Sequence, residues 1–331
     1  MNGEDQHNSS MPAGSVGRGI AYMCLAVFFL VGLDVTARWL MQKYSLAQLI
    51  FVRSVISVAL LIGFTAVRGQ LADLRTRRIG WHVFRSLLMV GSMFSFFHAL
   101  RFVPLADIVI YAFAAPLIVT ALSRPILGEA VGPLRWAAVV AGFVGVLVVL
   151  RPGFGAAHPA AIYAVIGAAF YAGLALTARK LANTETTLSL SINLFAAPLV
   201  VAGVLCVPGW QWPDAFDWFM FAVCGVFGGL GIVLINAAYQ RAPVAVIVPF
   251  EYTALIWAAA AGYVFWNEIP DIYAWCGAAI ITSSGLFILY RETRSPPLSD
   301  VAQSSFPLQE AAVGQAGEPD AGSGDRAGPS T

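Results

Sequence analysis

Residues 104–129 read PLADIVIYAFAAPLIVTALSRPILGE, and residues 243–268 read PVAVIVPFEYTALIWAAAAGYVFWNE. When the chain is shifted by 139 residues, the two stretches align without a gap and share seven identities in 26 positions. Most other positions pair one apolar residue with another, which any two apolar helices can do by composition alone. The matched distance from a proline to a glutamate in both stretches is more specific, and it indicates an internal repeat.

The composition around this repeat excludes a water-soluble domain. The 331 residues are 59% hydrophobic and only 11% charged, whereas soluble domains carry about 25% charged residues. A bilayer core requires about 20 apolar residues per helix. Ten stretches are predicted as spans 1 to 10: 19–41, 46–67, 80–101, 105–124, 132–150, 159–179, 187–208, 217–239, 243–265 and 272–290.

The order of the spans predicts the architecture. Five spans separate the two copies, and an odd number inverts the second copy relative to the membrane. The predicted fold class is therefore an all-α membrane protein with ten transmembrane helices in two inverted five-helix repeats, 17–153 and 154–292. Residues 1–16 are predicted to form a cytoplasmic tail, and residues 293–331, rich in Pro, Gly, Ser and Ala, a disordered one.

The basic residues predict the orientation. Of the 19 Lys and Arg residues, 13 fall at one set of span ends and tails, four fall at the opposite set, and Arg53 and Arg85 lie inside spans. Cytoplasmic loops carry the excess of Lys and Arg. Both termini are therefore predicted to be cytoplasmic.

Three stretches carry a resemblance to a known family: ALRFVPLADIVIYAFAAPLIVTALSRPILGE (99–129), VLRPG (149–153) and AYQRAPVAVIVPFEYTALIWAAAAGYVFWNEIPD (238–271). They resemble the EamA repeat of the drug/metabolite transporter superfamily, over about residues 18–292. Residues 34–54 and PFEYTALIWA (249–258) resemble a bacterial branch that includes riboflavin and S-adenosylmethionine uptake carriers. The resemblance implies a central cavity, alternating access without ATP, and a bacterial inner-membrane location.

The expected function is a secondary transporter of a small metabolite, with riboflavin uptake favoured. S-adenosylmethionine uptake, or export of an amino acid or other metabolite, is the alternative. A membrane enzyme is disfavoured because no HExxH, GxSxG, Walker loop or Cys/His cluster is present. No catalytic residue, metal, cofactor or nucleic-acid partner is expected. The GxxxG at Gly225–Gly229 fits internal packing or a homodimer.

Glu251 is the main candidate site residue, because ionisable groups inside spans are rare and mark functional sites. The 139-residue shift aligns it with Ala112. The flanking aromatic residues persist in both copies: Tyr111 and Phe113 in the first, Phe250 and Tyr252 in the second. A group needed only by the shared fold would appear twice. Glu251 is therefore predicted to handle substrate or protons, with the aromatic rings available for stacking.

Further polar residues fall at a similar predicted depth. Arg85 in span 3 and the pair Asn236 and Gln240 in span 8 can form one cluster with Glu251. Alternatively, Arg85 extends its charge to the headgroups, and the two amides join helices. Whether Glu251 meets Arg85, a proton or the substrate is open at this point.

Near the opposite face, Asp34 and Arg53 share a predicted depth. They form either a gate at the outer mouth or a static pair, with Arg38 joining Asp34 at the i,i+4 spacing. Glu129 and Glu268, at equivalent span ends, are predicted to be solvated anchors without chemistry. Pro125 is predicted to end or kink span 4.

Overall fold

A computed structural model describes residues 13–67, 69, 78–128, 131–151, 158–181, 189, 192–239, 241–242 and 244–294. Within these ranges all regular secondary structure is helical. The chain divides into two units, Met1–Tyr290 and Arg291–Thr331, and the helical bundle belongs to the first. Both predicted tails lie almost entirely outside the described residues.

The helices follow one another in chain order. They are α1 (Ala13–Leu40), α2 (Leu46–Val67), α3 (Ile79–Leu100), α4 (Leu105–Ala112), α5 (Ala114–Leu127), α6 (Pro133–Leu150), α7 (Ala161–Leu181), a 3-10 turn (Asn193–Phe195), α8 (Ala196–Cys206), a second 3-10 turn (Val207–Gly209), α9 (Ala215–Tyr239), α10 (Val244–Ile247), a 3-10 segment (Val248–Tyr252), α11 (Thr253–Trp266) and α12 (Ile272–Arg294).

The ten predicted spans are confirmed. Among the described residues, nine segments are long and apolar enough to cross a membrane, and Asn193–Gly209 forms a shorter apolar helix between them. Two spans are composite, because α4 and α5 together cover Leu105–Leu127 and the 3-10 segment and α11 together cover Val248–Trp266. The chain is a multi-pass membrane protein.

Span 4 is broken in its middle, after Ala112. Helix α4 ends at Ala112 and α5 begins at Ala114. Pro116 has no N–H, so it cannot supply the bond that the Ala112 carbonyl, four residues earlier, would receive in a regular helix. The break is thus explained by a proline that is already visible in the sequence.

Span 9 is interrupted at the equivalent place by a different proline. Its short helix α10 gives way to a 3-10 segment, and Pro249 occupies the first turn of that segment. Under the 139-residue shift, Phe113 at the break in span 4 aligns with Tyr252 at the end of the segment. Both copies therefore interrupt the same span at the same position.

The ends of these two spans also match. Of the two predictions for Pro125, that it ends span 4 is wrong, since α5 continues through Pro125 to Leu127, and that it kinks the span stays a prediction. A proline in the last turn removes only one internal bond, and the helix instead ends at Gly128 with φ 75°. Asn267, the equivalent residue after α11, has φ 55°. The Gly128 and Asn267 amides each bond a carbonyl four residues earlier, at 3.0 Å.

The packing has the symmetry expected of inverted repeats. Helix α1 packs most extensively on α9, and α3 packs next most extensively on α7. These pairs are spans 1 and 8, and spans 3 and 6. Span 6 is the equivalent of span 1 and span 8 is the equivalent of span 3, so the repeat relates one pair to the other. Helices α6 and α12, spans 5 and 10, also meet closely: a Cβ on Gly277 would lie 2.8 Å from the Gly145 carbonyl oxygen.

Candidate functional site

The two interrupted spans touch each other at their breaks. The rings of Phe113 and Tyr252 lie 4.7 Å apart between centroids, at an interplanar angle of 48°. These residues are equivalent in the two copies, and equivalent residues can touch only close to the axis that relates the copies. The contact therefore marks the interface of the repeats, where transporters of this architecture hold their substrates.

Tyr171, in the middle of α7, borders the same region. It leaves 57% of its surface exposed. Successive residues are about 100° apart around the axis of a helix. Tyr171 therefore lies about 180° around α7 from Ile162, and well away from Ile166, two exposed residues that mark the lipid side of the helix. A residue that is exposed on the inner face of its helix must border an internal space. Nothing in the sequence distinguishes it from the other aromatic residues of the apolar spans, and Gly32 stands at the equivalent position of the first copy.

Glu251 lies close to this tyrosine. It is partly exposed within the 3-10 segment, and its charge acts on both Tyr171 and Tyr252. The carboxylate and three aromatic rings thus come from three separate elements: α7, the 3-10 segment and the break between α4 and α5. Such an arrangement can bind a planar, positively charged molecule through stacking, cation–π and charge attraction.

The other two predicted aromatic residues have different surroundings. Tyr111 is only 1% exposed and packs inside the main core. Phe250 is partly buried against a small second cluster that includes Met23 and Val27. Of the four aromatic residues that the repeat singled out, only Phe113 and Tyr252 meet each other. A role of Tyr111 or Phe250 in binding stays a prediction.

The predicted polar cluster around Arg85 also stays a prediction. Arg85 is 5% exposed on α3, and its Nε and Nη1 have no hydrogen-bond partner among the described residues. Asn236 lies on α9, but its side chain is outside the described part of the structure, as is the whole of Gln240. None of the described contacts joins Arg85 to Glu251.

Asp34 and Arg53 lie within electrostatic range of each other, although no ion pair within 4.0 Å joins these two described side chains. Arg53 is 6% exposed, and its guanidinium lies 5.0 Å from the Phe97 ring centroid. Phe97 is twelve residues, or roughly 18 Å, along α3 from Arg85. The two buried arginines therefore occupy different depths, and the choice between a gate and a static pair at Asp34 stays open.

We call the end of the bundle at which α1 ends the far end. The interpretation of Glu268, which lies there, needs correction. Glu268 is not a solvated anchor: it accepts hydrogen bonds from Arg38 Nη1 at 2.8 Å and Nη2 at 2.6 Å. The Leu105 amide donates a third bond, at 3.1 Å. The left-handed turn at Asn267 reverses the chain, so that the Glu268 amide bonds the Gly262 carbonyl at 3.0 Å and the carboxylate points back into the bundle. Arg38 thus pairs with Glu268 rather than with Asp34.

A second far-end group joins the loop after α1 to the start of α9. Lys43 pairs with Asp214 at 3.2 Å and also with Asp217, whose carboxylate accepts a 2.5 Å bond from the Tyr44 hydroxyl. Hydrogen bonds to Asp217 and Asp214 raise the pKa of Lys43. Bonds from the Asp217 amide and from Lys43 lower the pKa of Asp214. Both shifts favour the charged forms that make the pair.

A third group lies between the end of α6 and the start of α12. Arg151 pairs with Asp271 and lies 4.6 Å from the Tyr273 ring centroid. Asp107, near the start of α4, is within electrostatic range of Arg151, Asp271 and Glu268. The far end is therefore lined with charges from both copies.

The position of Tyr252 depends on Gly285, which gives a first prediction. A Cβ at Gly285 would overlap the Tyr252 hydroxyl, while the next atom of that ring, Cζ, is 3.3 Å away. We expect Gly285→Ala to lower the melting temperature of the detergent-purified protein, because overpacking costs about 1–3 kcal/mol. Adding Tyr252→Phe removes the overlapping oxygen and restores the melting temperature. An unchanged melting temperature in Gly285→Ala contradicts this close approach.

Comparisons with known proteins agree with this architecture. The EamA-like transporter family matches residues 17–151 and 158–290. The S-adenosylmethionine uptake transporter of Rickettsia prowazekii is 30% identical over 280 residues, or 84% of this chain and 94% of its own. The riboflavin transporter of Vibrio cholerae is 29% identical, over 73% of this chain and 82% of its own. The pseudopaline exporter of Pseudomonas aeruginosa is 24% identical, over 80% and 93%.

A protein of known crystal structure shares the fold. It has a TM-score of 0.58 and 20% sequence identity, over 86% of this chain and 99% of its own. At this identity the likeness concerns the arrangement of the helices alone.

Proposed function

Because the chain belongs to the EamA-like transporter family, we propose that it takes up S-adenosylmethionine across the bacterial inner membrane. Transport proceeds by alternating access of the two inverted copies, without ATP hydrolysis and without enzymatic chemistry. Both termini lie in the cytoplasm, so the far end faces outward. The observation that carries the choice of substrate is the carboxylate of Glu251 within electrostatic range of Tyr171 and Tyr252.

The chemistry of S-adenosylmethionine matches these groups. Its adenine ring is planar and can stack on an aromatic side chain. Its sulfonium and amino groups are cations, which a carboxylate attracts and which aromatic faces also stabilise. An ionisable group within a span marks a functional site, and a carboxylate there attracts a cationic substrate. The Rickettsia relative, which aligns over nearly its whole length, supports the same choice.

Riboflavin uptake is the second candidate, and the contact between Phe113 and Tyr252 favours it. Two rings 4.7 Å apart at the interface of the copies offer a surface for the flat isoalloxazine system. The Vibrio relative supports this substrate. Riboflavin has no cation for Glu251, so the two candidates differ in their expected response to removal of this charge.

The test is uptake in bacterial hosts that depend on an external supply of each compound. We expect the chain to rescue a host that lacks S-adenosylmethionine synthesis, at limiting external S-adenosylmethionine, and to accumulate the radiolabelled compound. Rescue of a riboflavin auxotroph alone would select the second candidate. Failure of both rescues, with the protein detected in the membrane, would overturn the uptake proposal.

A further inference from the structure

Ion pairs tie the two copies together at the far end. Between described residues there are four pairs: Arg38–Glu268, Lys43–Asp214, Lys43–Asp217 and Arg151–Asp271. In each of them a residue before position 153 meets a residue after it, so every one of these pairs crosses from the first copy to the second. Such pairs hold elements of the two copies together at this end, so opening a path between those elements there requires the pairs to break.

The Arg38–Glu268 pair is the best shielded of the four. Its side chains are 12% and 22% exposed, compared with 55% and 61% for Lys43 and Asp214. The pair has two parallel hydrogen bonds, and Arg38 also lies 4.5 Å from the Trp266 ring centroid. Bidentate charged bonds with limited solvent access are strong, whereas exposed pairs contribute little. Opening the far end therefore depends chiefly on this pair.

The equivalent pair is incomplete in the other copy. The 139-residue shift places Glu129 at the position of Glu268 but Thr177 at the position of Arg38. The Thr177 hydroxyl donates to the Gly173 and Leu174 carbonyls of its own helix, at 2.9 Å each. The glutamate thus occurs in both copies, while the cation stands at this position only in the first.

We infer that Arg38, Glu268 and the Leu105 amide form a latch, the far-end latch, which makes the far-closed conformation the resting state of the carrier. In an inverted-repeat carrier the two closed conformations are related by exchanging the copies. Identical copies would make them equally populated. An arginine that only one copy has at this position shifts their ratio by the interaction free energy that it contributes. The inference rests on alternating access and is independent of the metabolite carried.

Hydrogen exchange of the full-length protein in lipid nanodiscs, without substrate, tests the latch. We expect Arg38→Gln and Glu268→Gln to speed exchange in far-end peptides covering 38–48 and 263–271. The increase should be about tenfold or more, which corresponds to about 1.4 kcal/mol. At the same time, exchange should slow at the opposite end of the bundle, which we call the near end, in peptides covering 78–90 and 232–247. The reason is that the population moves to the conformation that is closed there.

Three further variants serve as controls. Lys43→Gln breaks the two pairs of a lysine that is 55% exposed, and it should change exchange less than Arg38→Gln does. The charge exchange Arg38→Glu with Glu268→Arg restores an ion pair but not the bond from the Leu105 amide, which an arginine cannot accept. Exchange in this variant should therefore fall between wild type and the single variants, and it allows the same measurement if a single variant does not fold. Thr177→Arg gives the second copy a cation at the position equivalent to Arg38, and it should slow near-end exchange while it speeds far-end exchange.

Two results would overturn the latch. Faster exchange at both ends of Arg38→Gln would show that the pair only stabilises the fold, and unchanged exchange at both ends would show that it does not set the resting state. A Thr177→Arg variant that exchanges like wild type would refute the asymmetry between the copies. Since no substrate is present, none of these results depends on the uptake experiments.

Discussion

Uptake of S-adenosylmethionine by the Glu251→Gln variant is expected to be about 10- to 100-fold less efficient than wild type, measured as kcat/KM. The glutamine keeps the size and hydrogen-bonding capacity of the side chain but removes the charge that lies within electrostatic range of Tyr171 and Tyr252. A hydrogen bond to a charged group contributes about 1.5–3 kcal/mol. Because kcat/KM falls exponentially with the free energy of interaction that is lost, a loss of this size gives the expected decrease. Initial rates of radiolabelled uptake over a range of substrate concentrations give the value.

The matched controls for this variant separate charge from position. Glu251→Asp keeps the charge on a side chain that is shorter by one methylene group, and we expect it to retain more uptake activity than the glutamine variant. If riboflavin is the substrate instead, Glu251→Gln should leave KM nearly unchanged, because the isoalloxazine ring carries no cation. Equal uptake by wild type and Glu251→Gln, at equal protein in the membrane, would remove Glu251 from the mechanism.

Gly277→Ala is expected to produce the largest loss of stability among single-methyl additions. The new methyl group would overlap Val149 and lie 2.8 Å from the Gly145 carbonyl oxygen. A backbone oxygen cannot move aside as a side chain can, so α6 and α12 must separate. Overpacking costs about 1–3 kcal/mol, which corresponds to a melting temperature lower by roughly 2–10 °C. Thermal unfolding in detergent, followed by size-exclusion chromatography, measures the change.

Gly63→Ala provides the matched control within α2. A Cβ at Gly63 meets no heavy atom within 4 Å, and alanine favours a helix by about 1 kcal/mol over glycine. The melting temperature of this variant should therefore be equal to or above that of wild type. If both variants lost stability equally, the cause would be the removal of glycine in general rather than the contact between α6 and α12.

The fold followed from the sequence because length and symmetry are visible there. Apolar runs of bilayer length predicted the ten spans, and the alignment of Pro104 with Pro243 and Glu129 with Glu268 predicted the repeat. The break at Phe113 was not predicted, because the proline that explains it, Pro116, lies three residues further along the chain. A proline removes the hydrogen bond to the carbonyl four residues before it, which here is the carbonyl of Ala112. Pro125 attracted attention instead, although a proline in the last turn of a helix disturbs little.

The site was less visible than the fold. Glu251 could be singled out because only one copy has a charge at that position. Tyr171 could not, because an aromatic residue in an apolar helix carries no signal of the direction it faces. Glu268 was interpreted as a solvated anchor because its partners, Arg38 and the Leu105 amide, are 230 and 163 residues away along the chain. Long-range pairing of this kind depends on the turn at Asn267, and sequence spacing does not show it.

The interrupted spans also bear on how proteins of one architecture can carry different molecules. At the break in span 4, the Ala112 carbonyl lacks the amide that a regular helix would supply, and this group belongs to the main chain. Mutations that exchange side chains leave such a carbonyl in place. A polar main-chain group near the centre of the bundle is therefore present wherever the proline that frees it is present. The side chains around it, such as a single glutamate, are free to diverge from one cargo to the next.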